Sequence, residues 1–405
     1  MDGRTGRMEF IGPSWLAFAG LAIGGLVGFA VRRARLCTFG ALEDAFVGAD
    51  TRRLRVFGLA AAIAIVGTQA LVLAGLLDPA QTTYVSVAVP WLGVAVGGVL
   101  FGFGMALVGT CAFGSLIRLG GGDLRSLVVI LVFGLAAYAT LRGALAPFRI
   151  GVIESFAFAP PPPGRADIPG LLEGALGVDL RIWIAIALST GLLLLAVTDR
   201  RLRRTPRLVL GGVALGLGVV TGWAATQFLA DEFVQPIAPQ SLTFVSPVAR
   251  ALSGVLFERD TLLEFGVGSV LGVACGAALA TVIAREFRWE AFDDPREMKR
   301  HLGGATLMGV GGVMCGGCTI GQGLTAGSML ALSWPLALIA IALGARLGIA
   351  VLMEGSIVEL LRSMRPPAPE AAWPHKTPSA DRDPGHTDAT AQTSRPQAPS
   401  PTPVS

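Results

Sequence analysis

Val313-Met314-Cys315-Gly316-Gly317-Cys318-Thr319-Ile320-Gly321-Gln322-Gly323 lies between two long apolar runs, yet it is too dense in glycine and small polar groups to be a lipid-facing helix. A polar, glycine-rich break at membrane depth is tolerated only where its backbone is buried in protein or lines a cavity. The stretch therefore marks where function is to be sought. The same grammar occurs twice more, as Gly109-Thr110-Cys111-Ala112-Phe113-Gly114-Ser115-Leu116 and as Leu36-Cys37-Thr38-Phe39-Gly40-Ala41-Leu42. Three of the five cysteines thus stand in Cys-x-x-Gly, each just after an apolar segment and each opening what reads as a short helix.

Around these turns the chain reads as an all-α polytopic membrane protein. Of its 405 residues 53% are hydrophobic and 15% charged, and the mean hydropathy of +0.64 lies far outside the range of soluble globular proteins. Apolar runs recur at the length a bilayer requires, roughly 20 residues. They predict nine spans, near 12–31, 55–77, 91–109, 123–141, 181–197, 207–229, 262–284, 302–314 and 331–352. The eighth is short of apolar residues and is either broken or merged with the stretch from Cys315 to Gly327. The first run is followed by arginines and has no clear small-residue cleavage site, so it reads as a retained span and not as a signal peptide.

Arginine clusters at 32–35, 52–55, 118–125, 200–207 and 285–300 all fall on one face if the N-terminus is periplasmic and the C-terminus cytoplasmic. That is the arrangement of a multi-pass protein of a bacterial inner membrane. Basic residues grouped beside spans, with a formal charge of only +4, argue for membrane orientation and against nucleic-acid binding. Five cysteines without framework spacing and three histidines suggest neither a disulfide scaffold nor a metal centre. No cofactor is expected.

Cys37 to Gly48 is too short to cross a membrane but apolar enough to dip into it, and 111–120, 241–257 and 318–330 are similar. These give four re-entrant half-helices. Gly97-Gly98 through Cys111-Ala112-Phe113-Gly114 aligns with Gly303-Gly304 through Cys318-Thr319-Ile320-Gly321. The copies start at spans one and six, an odd offset, so the second is inverted relative to the first, as in many transporters. A membrane domain over 1–365 follows, with repeat one near 12–141, a linker and fifth span over 142–206, and repeat two near 207–352. In repeat two the first Cys-x-x-Gly gives way to Thr243-Phe244-Val245-Ser246. The stretch 142–180 reads as an external loop, and 366–405, rich in Pro, Ala, Ser and Thr, as a disordered cytoplasmic tail.

A half-helix start inside a membrane offers unpaired N–H groups and a partial positive charge, so it can hold an anion without a buried Arg or Lys. Gly40, Gly114, Gly316, Gly317 and Gly321 let a ligand or a facing helix come close to backbone. Cysteine adds a weak, polarizable S–H donor, which suits an anion containing sulfur. Thr319 and Gln322 are candidates to donate to its oxygens or to cap the half-helix. Cys275, within Gly272-Val273-Ala274-Cys275-Gly276-Ala277, reads as helix packing.

With its three Cys-x-x-Gly turns and inverted halves, the region 12–352 resembles the YeeE/YedE family of sulfur-transport membrane proteins, whose characterised members take up thiosulfate. The resemblance implies an importer of thiosulfate or a closely related sulfur anion, and not an enzyme. It implies that Cys37, Cys111 and Cys318 line a central path and pass the ion by successive S–H contacts. Members often work with a small TusA-like sulfur-carrier protein on the cytoplasmic side. Two other readings stay open: a carrier or channel for another anion, such as a selenium or other sulfur species, and a membrane thiol–disulfide oxidoreductase using Cys315 and Cys318.

Overall fold

The computed structural model describes residues 12–85, 88–159, 165–229, 238–257 and 259–354. The expected tail and the run Pro160 to Pro163 lie outside the described residues. Within them the chain is helical, and no strand forms beyond isolated bridges. In order the main helices are α1 Gly12–Ala34, α2 Thr38–Phe46, α3 Arg52–Leu73, α4 Trp91–Val108, α5 Ala112–Gly120, α6 Leu124–Leu141, α7 Ile168–Leu176 and α8 Arg181–Val197. There follow α9 Pro206–Leu229, α10 Ser246–Leu256, α11 Phe265–Ile283, α12 Pro295–Met314, a π-helical turn Gly321–Ala326, and α13 Ser333–Glu354.

Among the described residues seven helices are long and apolar enough to cross a membrane: α1, α3, α4, α6, α9, α11 and α13. The chain is a multi-pass membrane protein. α8, at 17 residues, is apolar but shorter, and α12, at 20, begins Pro-Arg-Glu-Met-Lys-Arg-His. The sequence placed the latter from residue 302; its extra turns carry the charges that hydropathy excludes. α2 and α5, with nine residues each, are roughly 14 Å long at 1.5 Å per residue, less than half of a bilayer's hydrocarbon thickness.

Glycine decides how the long helices meet. Lipid tails are as apolar as leucine, so helices in a bilayer associate by close packing rather than by hiding apolar surface. On α1, Gly20, Gly24 and Gly28 face α11 so closely that an added Cβ would lie 2.2, 2.3 and 2.3 Å from the carbonyl oxygens of Phe265, Ser269 and Val273. α11 answers with Gly268, Gly272 and Gly276, whose added carbons would meet the carbonyls of Ala17, Leu21 and Gly25 at 2.1, 2.3 and 2.0 Å. α4 meets α13 in the same way, with Gly102 against Ile341 and Gly344 against Val99, each at 2.1 Å from the facing carbonyl oxygen. α4 also crosses α12, where Gly97 would touch Cys315 N at 2.5 Å. That crossing buries Cys315 at the end of α12, and Cys318 in the turn after it is buried as well.

The stretch 142–180, expected to be an external loop, folds inward in part. Asp167 caps α7 by accepting from Gly170 N at 2.9 Å, with Pro169 in the first turn. Backbone bonds from Ile168 N to Leu330 O and from Leu332 N to Ala166 O bind this segment to the chain following the π-helical turn, and one from Ala166 N to Val85 O binds it to the segment before α4. Asp167 also forms a buried ion pair with Arg181 of α8. Gln69 of α3 joins it, lying 3.4 Å from Arg181 Nη1 and donating to Ser328 O at 2.7 Å.

Candidate functional site

Two of the Cys-x-x-Gly cysteines occupy N-cap positions with extended backbone, Cys37 at φ −136° before α2 and Cys111 at φ −88° before α5. The third, Cys318, precedes the π-helical turn. Cys111 Sγ accepts from Gly114 N at 3.3 Å, and Cys318 Sγ accepts from Gly321 N at 3.4 Å. A sulfur here takes the place of the usual cap oxygen and satisfies one of the free N–H groups at the helix start.

Space at the fourth position explains why that residue is glycine. A Cβ on Gly114 would lie 2.2 Å from Thr110 Oγ1 and 3.4 and 3.6 Å from the sulfurs of Cys37 and Cys111. On Gly321 it would meet Thr243 Oγ1 at 2.5 Å and the Tyr84 hydroxyl at 3.3 Å, and on Gly40 it would meet Arg53 Nη1 at 3.1 Å. Each glycine lets a polar side chain approach to where a Cβ would stand.

The turns, far apart in sequence, come together. Cys37 Sγ lies 3.7 Å from Thr110 Oγ1, and Cys111 Sγ lies 3.9 Å from Thr38 Oγ1. Thr38 Oγ1 in turn accepts from Thr319 Oγ1 at 3.4 Å, joining residues 281 positions apart. A polar file therefore runs from Cys37 through Thr110 and Cys111 to Thr38, Thr319 and Cys318. Cys111 and Cys318 are fully buried, while Cys37 is half-buried. Cys37 lies in a cavity of about 320 Å³ whose lining includes Arg32, Arg35, Thr110, Arg118 and Glu286.

Gly316 and Gly317 take φ of +76° and +159°, conformations that side chains rarely adopt, and so turn the chain sharply out of α12. Gln322 is held at both ends, its Nε2 donating to Cys315 O at 2.8 Å and its Oε1 accepting from Ser333 Oγ at 3.2 Å. Those bonds lock the turn. Cys315 is buried and outside the file, and Cys275 is exposed on α11. Arg346 of α13 is exposed and lies over the Phe46 ring at 5.9 Å, against the end of α2. Among the described residues no group of three or more His, Cys, Asp or Glu could hold a metal ion.

Sequence reasoning gave no role in the site to Thr38, Thr110, Thr243, Tyr84 or the arginines lining the cavity at Cys37. One signal was present: a threonine flanks each of the three cysteines, as Cys37-Thr38, Thr110-Cys111 and Cys318-Thr319. In sequence the arginines stand out only as orientation signals.

The profile of a family described as sulphur transport matches residues 33–347. The thiosulfate transporter TsuA of Escherichia coli K12 is 27% identical over 338 residues, covering 78% of this chain and 88% of that protein. The thiosulfate transporter TsuA of Spirochaeta thermophila is 28% identical over 342 residues, covering 81% of this chain and 97% of that protein.

Proposed function

The chain belongs to the sulphur-transport family, and from that premise we propose that it imports thiosulfate, or a closely related sulfur-containing anion, past Cys318, Cys111 and Cys37. One observation carries the reading: three Cys-x-x-Gly turns, scattered over the sequence, meet in one file of thiols and hydroxyls. Among the described residues no buried Arg or Lys lies along the file, so an anion is held by S–H and O–H donors and by N–H groups at the helix starts. Each such contact is weak, and weak sites in series let an ion enter and leave. The thiols act as donors and so carry their protons while the anion passes; a thiolate would repel it.

The architecture that suits this path has nine spans, α8 and α12 completing the seven, with α2, α5, α10 and the π-helical turn re-entering from the two faces. Two features support an inverted repeat. α1 packs on α11 as α9 packs on α3, and α4 packs on α13 as α12 packs on α6, so exchanging the halves keeps the neighbours. Cys37 lies beside Gly114 of repeat one, and Thr243, which replaces a cysteine in repeat two, lies beside Gly321 in the same way.

By the positive-inside rule the reading that suits the arginine-rich loops has the mouth at Cys37 cytoplasmic, in an inner membrane, with the N-terminus outside. A TusA-like carrier would receive sulfur there. Substrate site residues then comprise Cys37, Cys111, Cys318, Gly40, Gly114, Gly321 and Thr319, with Gly316, Gly317 and Gln322 shaping the outer turn. Membership of a transport family makes the chain a transporter and not an enzyme, which sets aside the oxidoreductase reading of Cys315 and Cys318.

Uptake of thiosulfate as sole sulfur source, in a host without its own sulfate and thiosulfate importers, tests the proposal. Wild type is expected to support growth, Cys37→Ala, Cys111→Ala and Cys318→Ala to fail, and Cys315→Ala to survive. Growth of all three variants at the wild-type rate would reject the thiol file. Competition by other sulfur and selenium oxyanions fixes the ion.

A further inference from the structure

The cavity at Cys37 is lined by three arginines and one carboxylate. Arg32 at the end of α1, Arg35 just after it and Arg118 on α5 all line it, and Glu286 is the one carboxylate among its lining residues. Arg118 donates to Gly109 O at 2.9 Å, which fixes its guanidinium beside the Thr110-Cys111 turn. Arg32 packs against the end of α5, close enough that an added carbon on Gly121 would meet its Nη2 at 3.0 Å. Among the described residues neither Arg32 nor Arg118 forms an ion pair. Arg35 is paired with Glu286 at 3.0 Å, with both side chains well exposed. Such surface pairs are weak and exchange readily.

We propose that this cavity, which Cys37 also lines, is a binding site for a free divalent oxyanion held between Arg32 and Arg118. Two half-fixed guanidinium groups match the charge of a tetrahedral dianion and offer it paired N–H donors. Glu286 competes with the anion for Arg35, so the pair opens when the anion arrives. The buried file holds its ion only by neutral donors, and a cationic pocket at its end draws the ion out of it. That role as the last station of the path rests on the transport reading above; the binding itself does not.

The test measures how fast Cys37 is modified in the purified full-length chain in nonionic detergent, read by mass spectrometry of the Cys37 peptide. An anionic and a cationic methanethiosulfonate of similar size are compared. In wild type the anionic reagent is expected to react about tenfold faster, as electrostatic focusing in a charged cleft produces, and millimolar sulfate is expected to remove that advantage. Arg32→Gln with Arg118→Gln should abolish the preference, while Arg32→Lys with Arg118→Lys should retain most of it, which separates loss of charge from loss of fold. No anionic preference in wild type, or a preference that survives in the glutamine pair, overturns the site. So does stronger competition by glycerophosphoglycerol than by sulfate, which would assign the cavity to a lipid headgroup. Labelling needs no transport, so a chain that imports no thiosulfate yet shows the sulfate-sensitive preference would reject the substrate and keep the site.

Discussion

A methyl group on Gly114 would occupy the gap shared by the sulfurs of Cys37 and Cys111 and would strike Thr110 Oγ1 at 2.2 Å. Thr110 can rotate, but only by giving up its contact with Cys37. Overpacking of this kind costs typically about 1–3 kcal/mol, and here it falls on the proposed path. Gly114→Ala is therefore expected to lower thiosulfate uptake by about tenfold or more, taking 1.4 kcal/mol as a factor of ten. Gly151→Ala, whose added carbon meets nothing within 4 Å, should leave uptake unchanged; equal uptake rates in the two variants would count against the gap. The sequence made this residue legible, because cysteine and glycine at a fixed spacing are uncommon and recur three times. It did not make Thr38 or Thr110 legible, since threonine occurs in membrane helices for many reasons and only the fold shows that these two bridge separate turns.

Among the elements, α1 and α11 depend most visibly on missing side chains. Gly24 and Gly272 each sit against a facing carbonyl oxygen at 2.3 Å from where a Cβ would be, so the added carbon would meet backbone that cannot rotate away. Gly24→Leu and Gly272→Leu are each expected to push the helices apart and lower the melting temperature in detergent. Cys275→Leu, on the exposed side of the same helix, should not; an equal loss there would show that the face is not special. The turn before α3 adds a pH dependence. Side-chain hydrogen bonds from Arg52 hold the Asp50 carboxyl down at about 2. Its contribution is present above the ordinary carboxylate range and fades only as pH falls from about 4 towards 2. Amide exchange at 50–55 should therefore be flat, once corrected for intrinsic rates, from neutral pH to about 4 and quicken below. The long spans were legible because hydropathy counts apolar residues, which these helices have in excess. The last short element was legible only in place: from Gly321 to Ala326 it forms a single π-helical turn, and no local composition signals a wider turn over an α-helical one.

On the scale of the whole molecule, the stretch read as an external loop connects the middle of the chain to the turn that follows Cys318. Asp167 and Arg181 are buried together, and the same segment pairs its backbone with residues on both sides of Ala331, a few residues after the turn that follows Cys318. Hydropathy could not reveal this, because one buried ion pair looks the same in sequence as two loop charges. Removing one partner of a buried pair strands the other charge, at a cost of about 3–5 kcal/mol, whereas replacing both with apolar groups is often close to neutral. Asp167→Asn and Arg181→Met should each lower thermal stability and uptake together. Asp167→Leu combined with Arg181→Met should regain much of the stability. If the pair serves only to hold the chain together, uptake returns with it. If it also sets the position of the turn after Cys318, uptake stays low in the stable double variant, because the Asp167 cap on α7 and the Gln69 contact to Arg181 are lost while the helices remain packed. The second outcome is expected, since Gln69 also donates to Ser328 O, and Ser328 Oγ in turn accepts from Trp223 at 3.1 Å, so the network runs from the buried charges across the turn to α9. Melting temperature and uptake measured on the same three variants separate the two, and full recovery of both would confine the pair to a structural role.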